Sequence, residues 1–265
     1  MEITRGLAGT IPYAAVGSGN PVVVCAGLWP TTGVDSDTLV RDSVAAMRGL
    51  TASRQLIVLN RRGDLPAGVS MSDLAAEYAE AIRVEFGAPA DVMGMSTGGS
   101  IAQQLAADHP DTVRRLVLLS TACRLGPVGR ELQSRVAGYL RAGRVRSAGS
   151  LAATNLAPHG LRLPARALGW AMAPRMISDP TTAADLAATL EAEDSFDLAK
   201  CPRGIEAKTL IVAGDRDRFY GRDLFDATAA LIPGSRLIVL PRRGHITVAT
   251  DPRAQATIAG FLSQP

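Results

Sequence analysis

Residues 90–98 read ADVMGMSTG and place a G-x-S-x-G motif, residues 94–98, between a predicted strand and a predicted helix. The strand covers residues 90–95. The helix covers residues 98–108, with Ile101 and Leu105 on one side and Pro110 after its end. In that context the motif forms a sharp turn that exposes the serine hydroxyl above the sheet. A glycine-rich turn without a chemical role gives the same letters, but the position between strand and helix favours Ser96 as a nucleophile.

Apolar runs of strand length lie on both sides of this motif, and helical patterns alternate with them. The predicted strands cover residues 21–26, 55–60, 113–120, 209–213 and 236–240. Helices are predicted at residues 72–86, with Ser72 or Asp73 as the N-cap, at residues 223–231, and from Asp251-Pro252 onward. This alternation predicts an α/β fold, with a mostly parallel sheet and helices on both of its faces.

The middle of the chain breaks the alternation. Residues 124–200 contain no convincing strand, and helices are predicted at residues 131–142 and 182–194. Four prolines are expected to divide this stretch into short pieces: Pro158, Pro164, Pro174 and Pro180. We therefore predict a core formed by residues 1–123 and 201–265, with residues 124–200 inserted as a helical cap or lid.

Composition and charge exclude several classes of function. The chain has 265 residues, of which 47% are hydrophobic but only 4% aromatic, so one core must be built mainly from aliphatic side chains. The net charge of +3 is scattered. An arginine-rich stretch at residues 135–146 lacks acidic residues and is either a patch for an anionic ligand or, as we favour, a solvated helix face. No aromatic interleaving points to nucleic acid.

Cysteine count and hydropathy set the expected environment. Cys25, Cys123 and Cys201 are odd in number and widely spaced, which argues against a disulfide framework and against a metal site. No apolar run approaches membrane-spanning length, and the first residues lack the pattern of a signal peptide. We expect a soluble, cytoplasmic protein without membrane insertion, as a monomer or a homodimer.

A serine hydroxyl needs an adjacent base, and the chain offers three histidines. His109 ends a predicted helix and His159 lies between Pro158 and Gly160, so both are expected in surface turns, although His159 could reach a substrate. His245 follows the last predicted strand and therefore lies at the same edge of the sheet as Ser96. We predict His245 as the general base.

The acid that orients the histidine should lie at that edge too. The strand at residues 209–213 is followed by two candidates, Asp215 and Asp217. The chain order of serine, aspartate and histidine is that of α/β-hydrolases, and not that of the chymotrypsin or subtilisin types.

With these residues in place, the sequence resembles the α/β-hydrolase superfamily, in its serine esterase-like form with a helical lid. Residues 11–28 (IPYAAVGSGNPVVVCAGL) look like the family's entry, with Ala26 where the family has histidine. Residues 60–63 (NRRG) resemble its D-x-R-G turn, with Asn60 in place of aspartate. The resemblance implies that Asp217, at the end of G-x-x-D, is the acid, and that the backbone N–H groups of Leu28 and Thr97 form an oxyanion hole.

The resemblance also implies a reaction. A carboxylesterase-like serine hydrolase would cleave a small hydrophobic ester, lactone or thioester through an acyl-enzyme, without a metal or cofactor. The lid offers apolar side chains for the substrate pocket, although Trp170 and the methionines could equally pack between helices: Trp29, Leu161, Leu163, Trp170, Met172 and Met176. The alternatives are a cofactor-free C–C hydrolase or peroxidase of the same fold, a non-catalytic receptor for a small ligand, and a structural protein with a dead site.

Overall fold

Eight strands form the centre of the protein in its computed structural model, which describes residues 2–157 and 159–264. In chain order the strands are β1 Ile3–Ala8, β2 Ile11–Gly17, β3 Asn20–Cys25, β4 Arg54–Leu59, β5 Ala90–Met95, β6 Val113–Leu119, β7 Lys208–Gly214 and β8 Arg236–Leu240. All six predicted strands are present within one or two residues of their expected bounds. The hairpin of β1 and β2 was not predicted.

All eight strands join one sheet in the order β1-β2-β4-β3-β5-β6-β7-β8. The pairs from β4 to β8 are parallel, whereas β1 pairs antiparallel with β2, and β2 antiparallel with β4. The prediction of a mostly parallel sheet is confirmed. Because β5 lies between β3 and β6, its carboxyl end opens at the middle of the sheet edge, where ligands bind in open α/β sheets.

Nine α-helices surround the sheet among the described residues. They are α1 Asp37–Ser43, α2 Met71–Ala81, α3 Thr97–Asp108, α4 Pro127–Arg141, α5 Val145–Leu156, α6 Arg162–Met176, α7 Pro180–Ser195, α8 Arg222–Leu231 and α9 Pro252–Leu262. Asp251 caps α9 as predicted. The predicted cap of α2 was wrong: Ser70 is the N-cap, in a capping box with Asp73, and the helix continues as a π-helical turn at Ile82–Phe86.

The two faces of the sheet carry separate hydrophobic cores, as strand alternation requires. Val23 and Cys25 of β3 face the core that includes Leu74 of α2 and Ile101 of α3. Their neighbours Val22 and Val24 face the opposite core, which includes residues of α1 and α9. Helices on both faces of the sheet are thus confirmed.

Helices α4 to α7 lie between β6 and β7 in the chain and share a small core of their own, formed by side chains such as Val136, Leu140, Leu186 and Leu190. The expectation that prolines divide this stretch was wrong in part, because Pro174 lies inside α6. Pro164 also falls within α6, while Pro180 begins α7 and Pro158 lies outside the described residues.

The arginine-rich stretch of α4 and α5 is largely paired. Arg141 forms an ion pair with Glu191, and the guanidinium groups of Arg144 and Arg146 lie 4.8 Å and 4.2 Å from the ring centroids of Tyr139 and Trp170. These contacts fit the solvated helix face better than an anion site. Across the described part of the chain, every helix is too short or too polar to span a bilayer.

Candidate active site

Ser96 occupies the turn between β5 and α3 in a backbone conformation that side chains rarely adopt, with φ of 52° and ψ of −126°. Such conformations cost about 1–3 kcal/mol and persist only where the surroundings fix them. Here the Ser96 N–H donates to the Leu119 carbonyl of β6 at 3.1 Å, and the Ser96 carbonyl accepts from the Gly99 N–H at 2.7 Å. The neighbouring strand and the first turn of α3 therefore hold the serine in place.

The glycines of the motif make the turn possible by their lack of a side chain. A Cβ at Gly94 would lie 2.4 Å from the Gly98 carbonyl oxygen, and a Cβ at Gly98 would lie 2.1 Å from the Cys25 carbonyl oxygen. Both distances are far below van der Waals contact. The start of α3 therefore packs directly against the end of β3, which brings the Ser96 hydroxyl beside the loop that follows β3.

His245 and Asp217 meet Ser96 at this edge of the sheet. The Nε2 atom of His245 lies 2.9 Å from Ser96 Oγ, and its Nδ1 atom lies 2.8 Å from Asp217 Oδ2. Both side chains are nearly buried, with the histidine 7% and the aspartate 6% exposed. An ionised carboxylate only accepts hydrogen bonds, so the Nδ1–H donates to Asp217 and Nε2 is left to accept the Ser96 proton.

Contacts with neighbouring elements fix the histidine and the aspartate. Ser120, at the end of β6, donates its hydroxyl to the His245 carbonyl at 2.7 Å. The Asp217 Oδ1 atom accepts from the Phe219 N–H at 2.9 Å, and the Phe219 ring packs 4.6 Å from the imidazole, centroid to centroid. The backbone and the imidazole of His245 are therefore both held in place before any ligand binds.

The other candidate acid and bases lie elsewhere. Asp215 is exposed to solvent, whereas Asp217 is buried against His245, so the choice between the two rests on geometry as well as on resemblance. His109 caps the end of α3 and lines a surface groove on a different part of the molecule. The His159 side chain lies outside what the structure describes, so its predicted reach toward a substrate stays a prediction.

The loop after β3 passes close to Ser96, since a Cβ at Gly27 would lie 3.9 Å from the Ser96 Cβ atom. Leu28 and Thr97 both border the cavity above Ser96. Among the described residues, neither backbone N–H has a hydrogen-bond partner. Two free amides beside the half-buried Ser96 hydroxyl can bind a developing oxyanion.

Asn60, which stands where the family's D-x-R-G turn has aspartate, forms hydrogen bonds that hold a neighbouring loop in place. Its side-chain amide donates to the carbonyls of Thr31 at 3.1 Å and Gly33 at 2.7 Å, which a carboxylate could not do. The next residue, Arg61, donates to the Trp29 carbonyl at 2.9 Å. Together these bonds hold the loop that carries Leu28 against the end of β4.

A cavity of about 530 Å³ opens directly above Ser96 and His245, between the sheet edge and the helices α4 to α7. Its volume falls in the range of about 300–1,000 Å³ that is typical of small-molecule sites. The lining is mostly apolar, with contributions from the β3 loop and all four inserted helices: Leu28, Trp29, Leu132, Val136, Ala152, Leu156, Met172, Met176, Leu190 and Phe219. Among the described lining residues, Asp42 at the exposed rim is the only one of formal charge.

The predicted pocket residues divide into two groups. Trp29, Met172 and Met176 line the cavity. Leu161, Leu163 and Trp170 are outside its lining and are 57%, 78% and 52% exposed. The Trp170 ring instead packs beneath the Arg146 guanidinium of α5.

Sequence reasoning missed two groups at this site. Glu193 of α7 is 1% exposed and accepts a hydrogen bond from the Thr97 hydroxyl at 2.7 Å. Gln133 of α4 lines the cavity and donates to the same carboxylate at 2.8 Å. Glutamate and glutamine on helices are normally exposed, so residue type gave no signal for either.

Comparisons with known proteins identify the family and the fold. The sequence profile of the alpha/beta hydrolase family matches residues 22–258. RutD of Klebsiella pneumoniae subsp. pneumoniae, named for carbamate hydrolysis, is 29% identical over 196 residues, 71% of each chain. A Neisseria meningitidis serogroup A protein named pimeloyl-acyl-carrier-protein methyl ester esterase is 27% identical over 216 residues, 77% of this chain and 67% of that one. The enol-lactonase of Burkholderia xenovorans shares the fold, with a TM-score of 0.77 at 21% identity over 98% of this chain and 100% of that one.

Proposed function

The chain belongs to the alpha/beta hydrolase family, and from that premise we propose that it is a serine hydrolase that cleaves small, uncharged, apolar esters, lactones or thioesters through an acyl-enzyme. The observation that carries the proposal is the hydrogen-bonded chain from Asp217 through His245 to Ser96. It ends at a hydroxyl that faces an apolar cavity. A receptor or a dead scaffold has no need of this arrangement.

The reaction proceeds in two acyl transfers. Ser96 Oγ attacks the substrate carbonyl carbon while His245 Nε2 takes the hydroxyl proton, and Asp217 stabilises the resulting imidazolium. The C–O or C–S bond to the leaving group then breaks, and His245 returns the proton to the leaving atom. In the second half, His245 deprotonates a water that attacks the acyl carbon. The bond from that carbon to Ser96 Oγ breaks, and His245 returns the proton to Oγ, which frees the acid and regenerates the serine. Proton transfer by a positioned base contributes about 10²–10⁴-fold in rate.

The Leu28 and Thr97 amides are proposed to bind the oxyanion that forms in each half. Their lack of other partners among the described residues supports this role. The removal of one such donor typically costs about 10²–10³-fold in kcat.

The lining of the cavity favours a neutral substrate. A carboxylate on the substrate would enter a space whose described lining offers no arginine or lysine to pair with it. To bury a charge without a partner is strongly unfavourable. Of the activities named for the relatives, ester and lactone cleavage therefore suit this cavity better than cleavage of a small polar carbamate.

We also propose that residues 124–200 act as a cap over a core of residues 1–123 and 201–265. Helices α5 and α6 roof the cavity, and α6 makes its main packing contacts with α5 alone. A helix that packs mainly against one neighbouring helix, and not against the sheet, is suited to move with that neighbour when a substrate enters.

The proposed nucleophile is tested by a fluorophosphonate probe. We expect covalent labelling of Ser96, located by mass spectrometry of the labelled peptide, because the probe reacts only with an activated serine beside an oxyanion hole. His245→Ala should abolish the labelling, whereas the same change at His109, which lies away from the cavity, should leave it intact. Unlabelled wild-type protein that binds apolar ligands without turnover would favour the receptor.

Acyl-chain preference is tested with p-nitrophenyl esters of increasing length. We expect kcat/KM to rise from acetate toward hexanoate by up to roughly four-fold per methylene, since each buried methylene is worth about 0.8 kcal/mol. Ala152→Phe, which fills the cavity from α5, should shift the preference toward acetate. The matched control is Ala167→Phe on the exposed side of α6, which should leave the preference unchanged. A wild-type preference for acetate would contradict an apolar acyl site.

A further inference from the structure

Glu193 is a buried carboxylate that the proposed chemistry does not use. It is 1% exposed and lies on α7, an inserted helix. Its two oxygens accept hydrogen bonds from four side chains: Thr97 Oγ1 at 2.7 Å, Gln133 Nε2 at 2.8 Å, Ser100 Oγ at 3.0 Å and Tyr220 OH at 3.4 Å. All four donors are neutral, and among the described residues no arginine or lysine forms an ion pair with this carboxylate.

An ionised carboxylate buried at this position destabilises the fold unless well-placed hydrogen-bond donors stabilise its charge. The burial of a carboxylate costs several kcal/mol, which hydrogen bonds to the charge offset at about 1.5–3 kcal/mol each. The negative charge also lies at the N-terminal end of α3, where the helix dipole favours it. The charge affects its neighbours: burial and then Glu193 raise the pKa of Asp194 to about 6, and they raise the pKa of Tyr220 well above its usual value.

The donors belong to the groups that surround the reacting atoms. Thr97 directly follows the nucleophile, and its N–H is one of the two proposed oxyanion donors. Ser100 lies one turn further along α3. Tyr220 follows the aspartate loop, and its ring stacks on His245 with a centroid distance of 6.0 Å and an interplanar angle of 25°. The Glu193 carboxylate thus contacts both the first turn of α3, which follows Ser96, and Tyr220, whose ring packs against His245.

We propose that Glu193 is a positioning residue, which holds the Thr97 peptide so that its N–H points at the oxyanion of the substrate bound to Ser96. The inference rests on the proposed serine hydrolase function. The hydrogen bond fixes the Thr97 side chain, and the Thr97 peptide is the first of α3, where no earlier turn of helix restrains it. A displacement of this amide by a fraction of an ångström would weaken oxyanion binding in the transition state more than substrate binding.

The competing explanation is that Glu193 only ties the inserted helices to the core. The chain supplies a matched control for this, since Asp185 lies on the same helix and is 2% exposed. Its carboxylate accepts from the backbone N–H groups of Asp64 at 3.0 Å and Leu65 at 2.9 Å. It contributes nothing to the cavity lining. A variant of Asp185 therefore measures how much a buried hydrogen-bonded contact between α7 and the core contributes to stability, separately from any effect on the cavity.

The test compares Glu193→Gln with Asp185→Asn in kcat, KM, the rate of fluorophosphonate labelling and Tm. Glutamine has the same shape as glutamate, but it replaces one acceptor oxygen by an NH2 group, which cannot accept the hydrogen bonds that Glu193 receives. We expect Glu193→Gln to lower kcat and the labelling rate about 10- to 100-fold, with KM little changed. Asp185→Asn should lower Tm without lowering kcat. The proposal is overturned if Glu193→Gln keeps wild-type kcat, or if Asp185→Asn loses as much kcat at the same Tm.

A double-mutant cycle shows whether Glu193 acts through Thr97. Thr97→Val removes the hydroxyl and is expected to reproduce the loss of kcat, and Thr97→Val combined with Glu193→Gln should be no slower than the slower single variant. Additive losses would contradict the proposal. If Glu193→Gln does not fold, Thr97→Val alone still decides, because wild-type kcat in that variant would overturn the inference. A wild-type protein that neither turns over esters nor labels at Ser96 would instead refute the proposed function itself.

Discussion

Replacement of Ser96 by alanine is expected to lower ester turnover by about 10⁴- to 10⁶-fold while the protein stays folded. Alanine removes the proposed nucleophile, Ser96 Oγ, so no acyl-enzyme can form there. The proposed oxyanion donors, the Leu28 and Thr97 amides, could then assist only the direct attack of water on the substrate. The measurement is kcat on a p-nitrophenyl ester with enough protein to see residual activity, together with Tm. Ser263→Ala, at the exposed end of α9, is the control and should behave as wild type.

A companion variant separates chemistry from backbone strain. Ser96→Gly should be as inactive as Ser96→Ala but more stable, because glycine adopts a φ of 52° without the cost that alanine keeps. Appreciable turnover in either variant would move the nucleophile away from Ser96. Equal stability of the two would indicate that the turn stores no strain.

Asp217→Asn is expected to lower kcat by about 10⁴-fold, the size of effect that follows when a triad histidine loses its orienting carboxylate. Asparagine fits the same space, but its NH2 group can face His245 Nδ1 and stabilise the tautomer that places a proton on Nε2. That nitrogen, 2.9 Å from Ser96 Oγ, could then no longer accept the serine proton. The measurement is kcat across pH, with Tm as the check on folding.

Asp215→Asn provides a close control for this variant. Asp215 lies two residues earlier in the same loop but faces solvent, so its loss should leave kcat nearly unchanged. If Asp215→Asn were the slower variant, the acid would be assigned to the wrong residue. If neither variant lost activity, His245 would need no orienting carboxylate, and the proposed mechanism would fail.

The positions of Ser96, Asp217 and His245 could be predicted because each follows a strand of a parallel sheet. The carboxyl ends of β5, β7 and β8 lie at the same edge of the sheet. Residues just beyond these ends therefore lie close together, however the surrounding helices pack. Apolar runs of strand length mark those ends in the sequence. The first strand of the hairpin, β1, lacks such a run, since three of its six residues are exposed: Thr4, Arg5 and Leu7.

The walls of the cavity could not be predicted in the same way. Whether Met172 faces inward and Trp170 outward depends on how α6 is rotated against α5. Apolar residues lie on all sides of α6, so their periodicity does not fix that rotation. Glu193 was hidden for a different reason. Its burial depends on Thr97, Ser100 and Tyr220, which come together only when the inserted helices pack against the core.

The two buried carboxylates of α7 bear on how this enzyme could be recombined with its relatives. Asp185 and Glu193 each bind groups of the core, at residues 64–65 and at the start of α3, so helices α4 to α7 are not an independent module. A graft of foreign helices would leave two backbone amides and the Thr97 and Ser100 hydroxyls without acceptors, at about 1–3 kcal/mol for each group that remains buried. Chimeras designed to change the substrate range should therefore exchange only segments within α5 and α6. Helix α7 should come from the same parent protein as the Ser96 turn.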